Sequence, residues 1–322
     1  MAAATVPGQG TLFTTSRSPP RQRLGGSRLR TRVQNRDVVL PFLNGDDLTS
    51  SPDQSASRWV INFRDWPLER AELYPECIAI VRERVEPQRD SNPDPYRRRN
   101  WWRFIRPTTE LYERINGLTR AIAIALQSKS VVVAFVPVDV VFANTVGIFA
   151  YDDAHFGLLS SSFHWWWAVT HASTLETRIR YAPTDCFETF PQPELTEAVG
   201  QTGEALDAHR RALMLERWEG LTKTYNRVHD PAEHAEDIAE LRGLHVKLDF
   251  AVAAAYGWDD LPMDHNFHDT RQGVRYVQPH AAQRSNPRQR PSPAQICGTW
   301  GVAGVANRQP GQAAATGRTG PP

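Results

Sequence analysis

The stretch "SVVVAFVPVDVVFANTVGIFAY", Ser130–Tyr151, decides the class of fold. Its β-branched and aromatic runs, Ser130–Pro137 and Val140–Tyr151, read as strands, punctuated by Pro137 and by the Asp152-Asp153 pair. The residues that follow have a different period. In "AHFGLLSSSFHWWWAVTHAS", Ala154–Ser173, the apolar residues Phe156, Leu159, Phe163, Trp166 and Trp167 fall near one face of a helix. Strands followed directly by a helix in one stretch predict a mixed α+β fold.

Working outward on the N-terminal side, Glu110–Gly117 reads as a helix leading into this β-rich block, and Gln88–Asn100 as a polar loop. "PLERAELYPECIAIVRERVEP", Pro67–Pro87, has apolar residues at helical spacing, and Pro75 inside it predicts two short helices or a kink. "RWVINFRDW", Arg58–Trp66, alternates as a half-buried strand does. "DVVLPFLNGDDLTS", Asp37–Ser50, reads as a short strand closed by an Asn-Gly turn. On the C-terminal side, beyond "FPQP", the spacing predicts long helices over Leu195–Glu219 and Pro231–Tyr256. The second has Asp230 as N-cap and Pro231 in its first position, and stops at Gly257. The expected architecture is an α+β unit over residues 37–193 followed by an all-helical unit over 194–280.

Charge is distributed unevenly. Met1–Arg36 holds seven arginines and no acid, and Ala281–Pro322 five arginines and no acid; Gly, Pro, Gln and Ala dominate the tail. Such segments bury too little apolar surface to offset chain entropy, so both are expected to be disordered. With those twelve arginines set aside, 25 of the 37 basic residues face all 36 acidic ones, so residues 37–280 carry about −11. A chain that holds nucleic acid by charge alone is basic overall, so any such surface here is local. The only lysines are Lys129, Lys223 and Lys247. That preference for arginine fits phosphate and guanine contacts, and equally a GC-rich coding sequence. Three scattered cysteines, Cys77, Cys186 and Cys297, point to a reducing compartment and no structural zinc. There is no apolar run of about 18 residues that would span a membrane. The arginine-rich start lacks the apolar stripe of a presequence helix, and the expected location is the cytoplasm.

Motifs for chemistry are weak. "SNPDPY", Ser91–Tyr96, is one residue away from the Asn-Pro-Pro-Tyr loop with which amino-methyltransferases hold a flipped base. That loop follows an apolar strand, whereas "RERVEPQRD" here is charged and helical, so Asn92 and Tyr96 are not expected to be catalytic. "GQG", Gly8–Gly10, lies in the leader and makes no cofactor turn. His265 and His268 in "MDHNFHD" have a metal-like spacing but read as a solvated turn. Cys186 with His164 or His171 forms a nominal thiol–imidazole set, yet "DCFETF" reads as a buried strand. No catalytic, cofactor or metal residue is assigned.

Two aromatic–basic clusters remain. In "YRRRNWWRFIRP", Tyr96–Pro107, Arg97, Arg98, Arg99, Arg103 and Arg106 alternate with Trp101, Trp102 and Phe104. Either the guanidinium groups track a phosphate backbone, or the aromatics pack inside and the arginines are simply solvated. In "HWWWAVTHASTLETRIRYAPTDCFETFPQP", His164–Pro193, Glu176 and Arg178 flank Thr177 and in an extended chain point to the same side. A carboxylate accepts from the cytosine amine and an arginine donates to the two acceptors of guanine, so such a pair suits one G·C step; it also suits a surface ion pair.

These residues carry a resemblance. "LPFLNGDDLTSSPDQSASRWVINFRDWPLERAELYP", "NWWRFIRPTTELYERI", "GLLSSSFHWWWAV" and "RIRYAPTDCFETFPQP", within residues 37–277, resemble the C-terminal part of the MmeI-like, type IIL restriction-modification enzymes. The resemblance implies a target-recognition domain, related to that of TaqI-type adenine methyltransferases, followed by a helical domain, with double-stranded DNA as partner. Family members join these to a nuclease and an S-adenosylmethionine-dependent adenine methyltransferase. Glu176 and Arg178 match the family's two base-reading positions, ahead of Ile179-Arg180-Tyr181-Ala182; Ile179 and Ala182 depart from its pattern. Arg97, Arg98, Arg99, Arg103 and Arg106 become candidate backbone contacts. No cofactor is expected in this chain, and a methyltransferase catalytic domain or subunit is the second expected partner. The sequence before residue 37 and after 280 does not resemble the family and reads as out-of-phase translation of a GC-rich frame. The expectation is therefore a specificity portion without its catalytic motifs, or else a subunit of a separately encoded enzyme, or a non-functional remnant.

Overall fold

The computed structural model describes residues 12–14, 29, 32–104, 108–175, 178–258 and 261–278. Most of the leader and the whole of 281–322, where disorder was expected, lie outside the described residues. Two pieces of the leader nevertheless form elements: strand β1, Leu12–Thr14, and a 3-10 turn over Val33–Asp37.

Strand β2, Val39–Leu43, is the apolar strand the sequence predicts, but Asn44-Gly45 does not turn the chain back. Asn44 caps helix α1, Gly45–Ser50: its side chain accepts from the Asp46 and Asp47 amides, and Asp47 reaches back to the Asn44 amide. This is a capping box, satisfying amide donors that a helix start leaves orphaned. Strand β3, Arg58–Ile61, runs antiparallel to β2 and to β1, and β7, Val141–Phe142, adds to β2 in parallel, giving a four-stranded sheet.

Pro67–Pro87 forms helices α2, Leu68–Ala71, and α3, Pro75–Arg84, separated at Pro75 as expected. The predicted polar loop over Gln88–Asn100 is instead mostly helical. Helix α4, Glu86–Asp90, enters it, and α5, Pro95–Arg99, follows, each with Pro near its start where a missing N–H costs nothing. Helix α6, Thr109–Arg114, precedes β4, Arg120–Ala125, the centre of a second antiparallel sheet between β6, Val133–Pro137, and β8, Val146–Phe149.

The helix predicted over Ala154–Ser173 divides in two. Helix α7, Asp153–Ser160, ends where Ser161 adopts extended backbone (ψ 157°) and caps α8, Ser162–His171, through the His164 amide. Serines compete with helical backbone bonding and favour such caps, and "SSS" at 160–162 is the signal. Strands β9, Ser173–Leu175, and β10, Arg178–Arg180, then pair, and β10 also pairs with β5, Gln127–Ser128. Cys186, expected on a strand, ends helix α9, Pro183–Cys186, and is buried as expected.

The C-terminal part contains helices α10, Glu197–Arg217, α11, Leu221–Val228, and α12, Glu236–Ala255. Helix α11 was not anticipated. The expected N-cap at Asp230 is a turn, its carboxylate accepting from the Ala232 amide, and α12 starts at Glu236. Gly257 follows α12 with φ +70°, as a helix stop requires. The segment is not all-helical: β11, Asn266–Thr270, and β12, Gly273–Val277, form a hairpin.

One apolar core runs through both parts, joining Leu48, Ala123 and Leu158 to Leu206, Tyr225 and Leu248. Helices α7 and α10 approach so closely that a Cβ on Gly157 would lie 2.6 Å from the Val199 carbonyl oxygen. Strand β10 packs through Ile179 on a second cluster with Ile122, Phe149, Leu159 and Trp165.

Candidate nucleic-acid interface

The short sheet of β5, β10 and β9 carries the first candidate surface. Ile179 is buried, while Arg180, Gln127 and Ser173, which occupy one cross-strand row, are exposed. Just past β10, the Tyr181 amide donates to Leu126 O, and its hydroxyl meets His164 Nε2 at 3.0 Å. His164 Nδ1 donates to Leu159 O at 2.8 Å, so Nε2 accepts from the tyrosine. Burial pushes His164 down to about 4, keeping it neutral at ordinary pH. A buried Tyr–His–carbonyl chain thus fixes the end of β10 to α8.

Of the predicted pair, Glu176 and the side chain of Arg178 lie outside the described residues. The backbone of Arg178 is described, opposite Leu175 in the β9–β10 pair.

The second candidate surface is the arginine cluster, whose aromatic residues pack inward while Arg98 and Arg99 stay in solvent. Trp101 is buried, and Trp102 and Phe104 are half-buried. Arg98 and Arg99 are exposed on α5. Arg97 pairs with Asp94 at 3.1 Å, Arg98 donates to the Asn92 carbonyl, and Arg103 donates to Trp66 O at 2.9 Å beside the Trp102 indole N–H. Arg106 lies outside the described residues. Beneath them Arg89 is buried and donates to the Arg103 carbonyl; burial and the neighbouring Arg97 pull it below the usual guanidinium range.

"SNPDPY" resolves into local bonding. The Asn92 side chain accepts from the Asp94 amide at 3.0 Å and Asp94 caps α5 through the Tyr96 amide at 2.9 Å, while Tyr96 is 62% exposed. The chain before it is helix α4, not a strand.

Cys186 Sγ faces Ala168 O at 3.9 Å, and burial raises its thiol to about 11; no imidazole is paired with it among the described residues. His171 instead packs on Trp167, with ring centroids 4.0 Å apart. His265, expected in a solvated turn, has a buried side chain that bonds Asp249 at 2.8 Å, whereas His268 bonds the Asp264 carbonyl. Among the described residues no three His, Cys, Asp or Glu side chains are placed to hold a metal ion. A cavity of about 40 Å³ between Ser160, His229, His245 and His265 admits water but no nucleoside-sized cofactor. No helix among the described residues is long and apolar enough to cross a membrane.

These features define a class: a mixed α+β module with exposed polar and arginine-bearing surfaces backed by an aromatic core. The chain belongs to the family of the MmeI target recognition domain, whose model matches residues 27–194. The match begins ten residues before the expected boundary at Asp37. Among solved structures, the type IIL restriction-modification enzyme MmeI in complex with DNA is similar at 21% identity and a TM-score of 0.56, over 82% of this chain and 32% of that one. That likeness shows the fold, and this chain spans about a third of that enzyme's length. No curated protein sequence matches the chain.

Proposed function

We propose that this chain recognises a specific sequence in double-stranded DNA, as the specificity portion of a restriction-modification adenine-specific methyltransferase. The observation that carries the reading is the family match over 27–194; Arg178 opens strand β10, two residues along the sequence from Glu176. At that position Glu176 accepts from a cytosine amine and Arg178 donates to guanine O6 and N7 across one G·C pair. Arg97, Arg98, Arg99, Arg103 and Arg106 contact phosphates and set the register. Methyl transfer, with S-adenosylmethionine as donor, belongs to a catalytic domain or subunit that this module orients. Its place of work is the cytoplasm, where the DNA is.

The test is selection from a randomised duplex library by the purified chain, repeated with Glu176→Arg combined with Arg178→Glu. The expected result is an enriched motif in which the double variant alters one base pair and leaves the others. Enrichment of no motif by the wild-type chain, or a uniform loss at every position in the variant, overturns the reading.

A further inference from the structure

The loop from β3 to α2 holds a non-glycine residue in left-handed backbone: Arg64 has φ 55°. That region is sparsely populated by residues with a side chain and persists where surrounding structure imposes it. Here the imposing group is Asn62, 8% exposed, whose Oδ1 accepts from the Arg64 amide at 2.8 Å. The Arg64 side chain is exposed.

Beside it, buried Trp66 gathers arginines from three segments. The Arg70 guanidinium, from α2, stacks 3.8 Å from the indole centroid and that of Arg64 lies 5.7 Å away. The Trp66 carbonyl accepts from Arg103. Tyr74 stacks on Trp66 at 5.7 Å and takes the nearby acid, its hydroxyl donating to Asp37. Asp65 and Glu69 lie in the same stretch, yet among the described residues no carboxylate pairs with Arg64, Arg70 or Arg103. Several other arginines are committed: Arg82 to Glu72 and Glu86, Arg120 to Asp153, Arg227 to Glu219 and Glu233. In a segment where acids outnumber bases, two guanidinium groups over one indole and a third bonded to the Trp66 carbonyl and lying over Trp102, none with a carboxylate partner among the described residues, are an anion-facing arrangement. Stacking on an aromatic face orients the planar fork and leaves N–H edges free for phosphate oxygens.

We infer that Arg64 and Arg70, held on Trp66 beside Arg103, form a further contact with the DNA phosphate backbone. The inference rests on the DNA-recognition reading and extends the basic surface from α5 to the β3–α2 loop. A backbone contact of this kind adds affinity without base preference.

The experiment measures binding of the purified chain to a short mixed-sequence duplex across a salt series, for wild type, Arg64→Gln with Arg70→Gln, Arg64→Lys, Arg64→Gly and Arg82→Gln. Each phosphate contact contributes about 0.9 to the slope of log K against log salt, so the double variant is expected to lose roughly 1 to 2 units of slope and bind about 3- to 10-fold more weakly. Arg64→Lys keeps the slope. Arg64→Gly, which accepts the backbone geometry, loses about one unit while keeping the wild-type unfolding midpoint or exceeding it. Arg82→Gln, already paired with carboxylates, leaves the slope alone. If the double variant keeps the wild-type slope, this inference falls and the DNA reading stands. If the wild-type chain does not bind duplex at all, both fall.

Discussion

Substituting Gly157 with alanine tests whether helices α7 and α10 are held in backbone contact. A Cβ there would lie 2.6 Å from Val199 O, 3.1 Å from Val199 Cγ1 and 3.2 Å from Leu248 Cδ1. Ordinary carbon contacts lie at about 3.5–4.0 Å, so the helices must part by something close to an ångström. The nearest obstacle is a backbone oxygen, which cannot rotate away as a side-chain end does. Alanine gains about 1 kcal/mol in helix propensity, while overpacking costs about 1–3 kcal/mol or more. The contact is with backbone, so overpacking outweighs the propensity gain and a net loss of about 1–2 kcal/mol is expected. Gly203→Ala behaves alike, since its Cβ would meet Asp153 O at 2.8 Å and Gly157 Cα at 2.9 Å. Gly243→Ala, within α12, is the internal control: nothing lies within 4 Å of its Cβ, and it gains helix propensity at no steric cost. In urea unfolding, with a slope of about 3 kcal/mol per molar for a chain this size, Gly157→Ala lowers the midpoint by roughly 0.3–0.7 M and Gly243→Ala raises it by roughly 0.3 M. A Gly157→Ala midpoint equal to that of Gly243→Ala would refute the close packing of the two helices.

Three desolvated imidazoles, one of them fully buried, predict acid lability. Burial pushes His164 and His245 down to about 4 and His229 to about 3, the last also through Arg275, so each binds a proton near pH 6.5 only when the chain unfolds. The unfolded state therefore takes up more protons as pH falls, and stability, whole above about pH 6.5, drains toward pH 4 by up to about 1.4 kcal/mol per unit for each histidine; urea midpoints at a series of pH values check this, and a flat profile contradicts it. Asp249→Ala removes the acceptor for both the Ser162 amide and His265 Nε2, each at 2.8 Å, and is expected to cost about 3–5 kcal/mol and to strip hydrogen-exchange protection from the β11–β12 hairpin first. Asn44→Ala breaks the capping box of α1 for about 1 kcal/mol, read as a midpoint shift, while Asn44→Asp restores most of it.

What could be read from the sequence follows the range of the interactions. The strand block and the two long helices were legible because their apolar patterns are local. The break at Ser161 and the cap at Asn44 were also written locally, in "SSS" and "NGDD", but serine and Asn-Gly have competing uses that tertiary contacts decide. Helix α11 has its buried residues Leu221, Thr224, Tyr225 and Val228 at helical spacing, but eight residues are too short to stand out between two long helices. The final hairpin is obscured because Asn266, His268, Asp269 and Thr270 leave β11 without an apolar alternation. At the candidate site, Glu176 and Arg178 carried no physical signal that separates base readers from an ion pair; only the resemblance singled them out. The Trp66 platform was not legible at all, since it joins residues from the β3–α2 loop, α2 and the segment after α5.

Asp94 shows how local structure and the proposed function interact at one residue. It interrupts what would otherwise be Asn-Pro-Pro-Tyr, and it does two jobs: its Oδ1 caps α5 through the Tyr96 amide, and its Oδ2 pairs with Arg97 at 3.1 Å. Asparagine caps as well as aspartate but carries no charge, so the two jobs separate. Asp94→Asn is expected to leave α5 intact, to free Arg97 for phosphate, and to raise duplex affinity about 2- to 3-fold with a slope steeper by up to about 0.9. Asp94→Ala frees the same arginine but gives up the cap, about 1 kcal/mol, on a helix of only five residues. Its affinity gain is therefore expected to be smaller, and the Arg98 and Asn100 amides, which bond Asp94 O and Tyr96 O, lose exchange protection. If the two substitutions strengthen binding equally and neither changes those amides, the cap does not organise the arginines, and α5 presents them by chance of sequence alone.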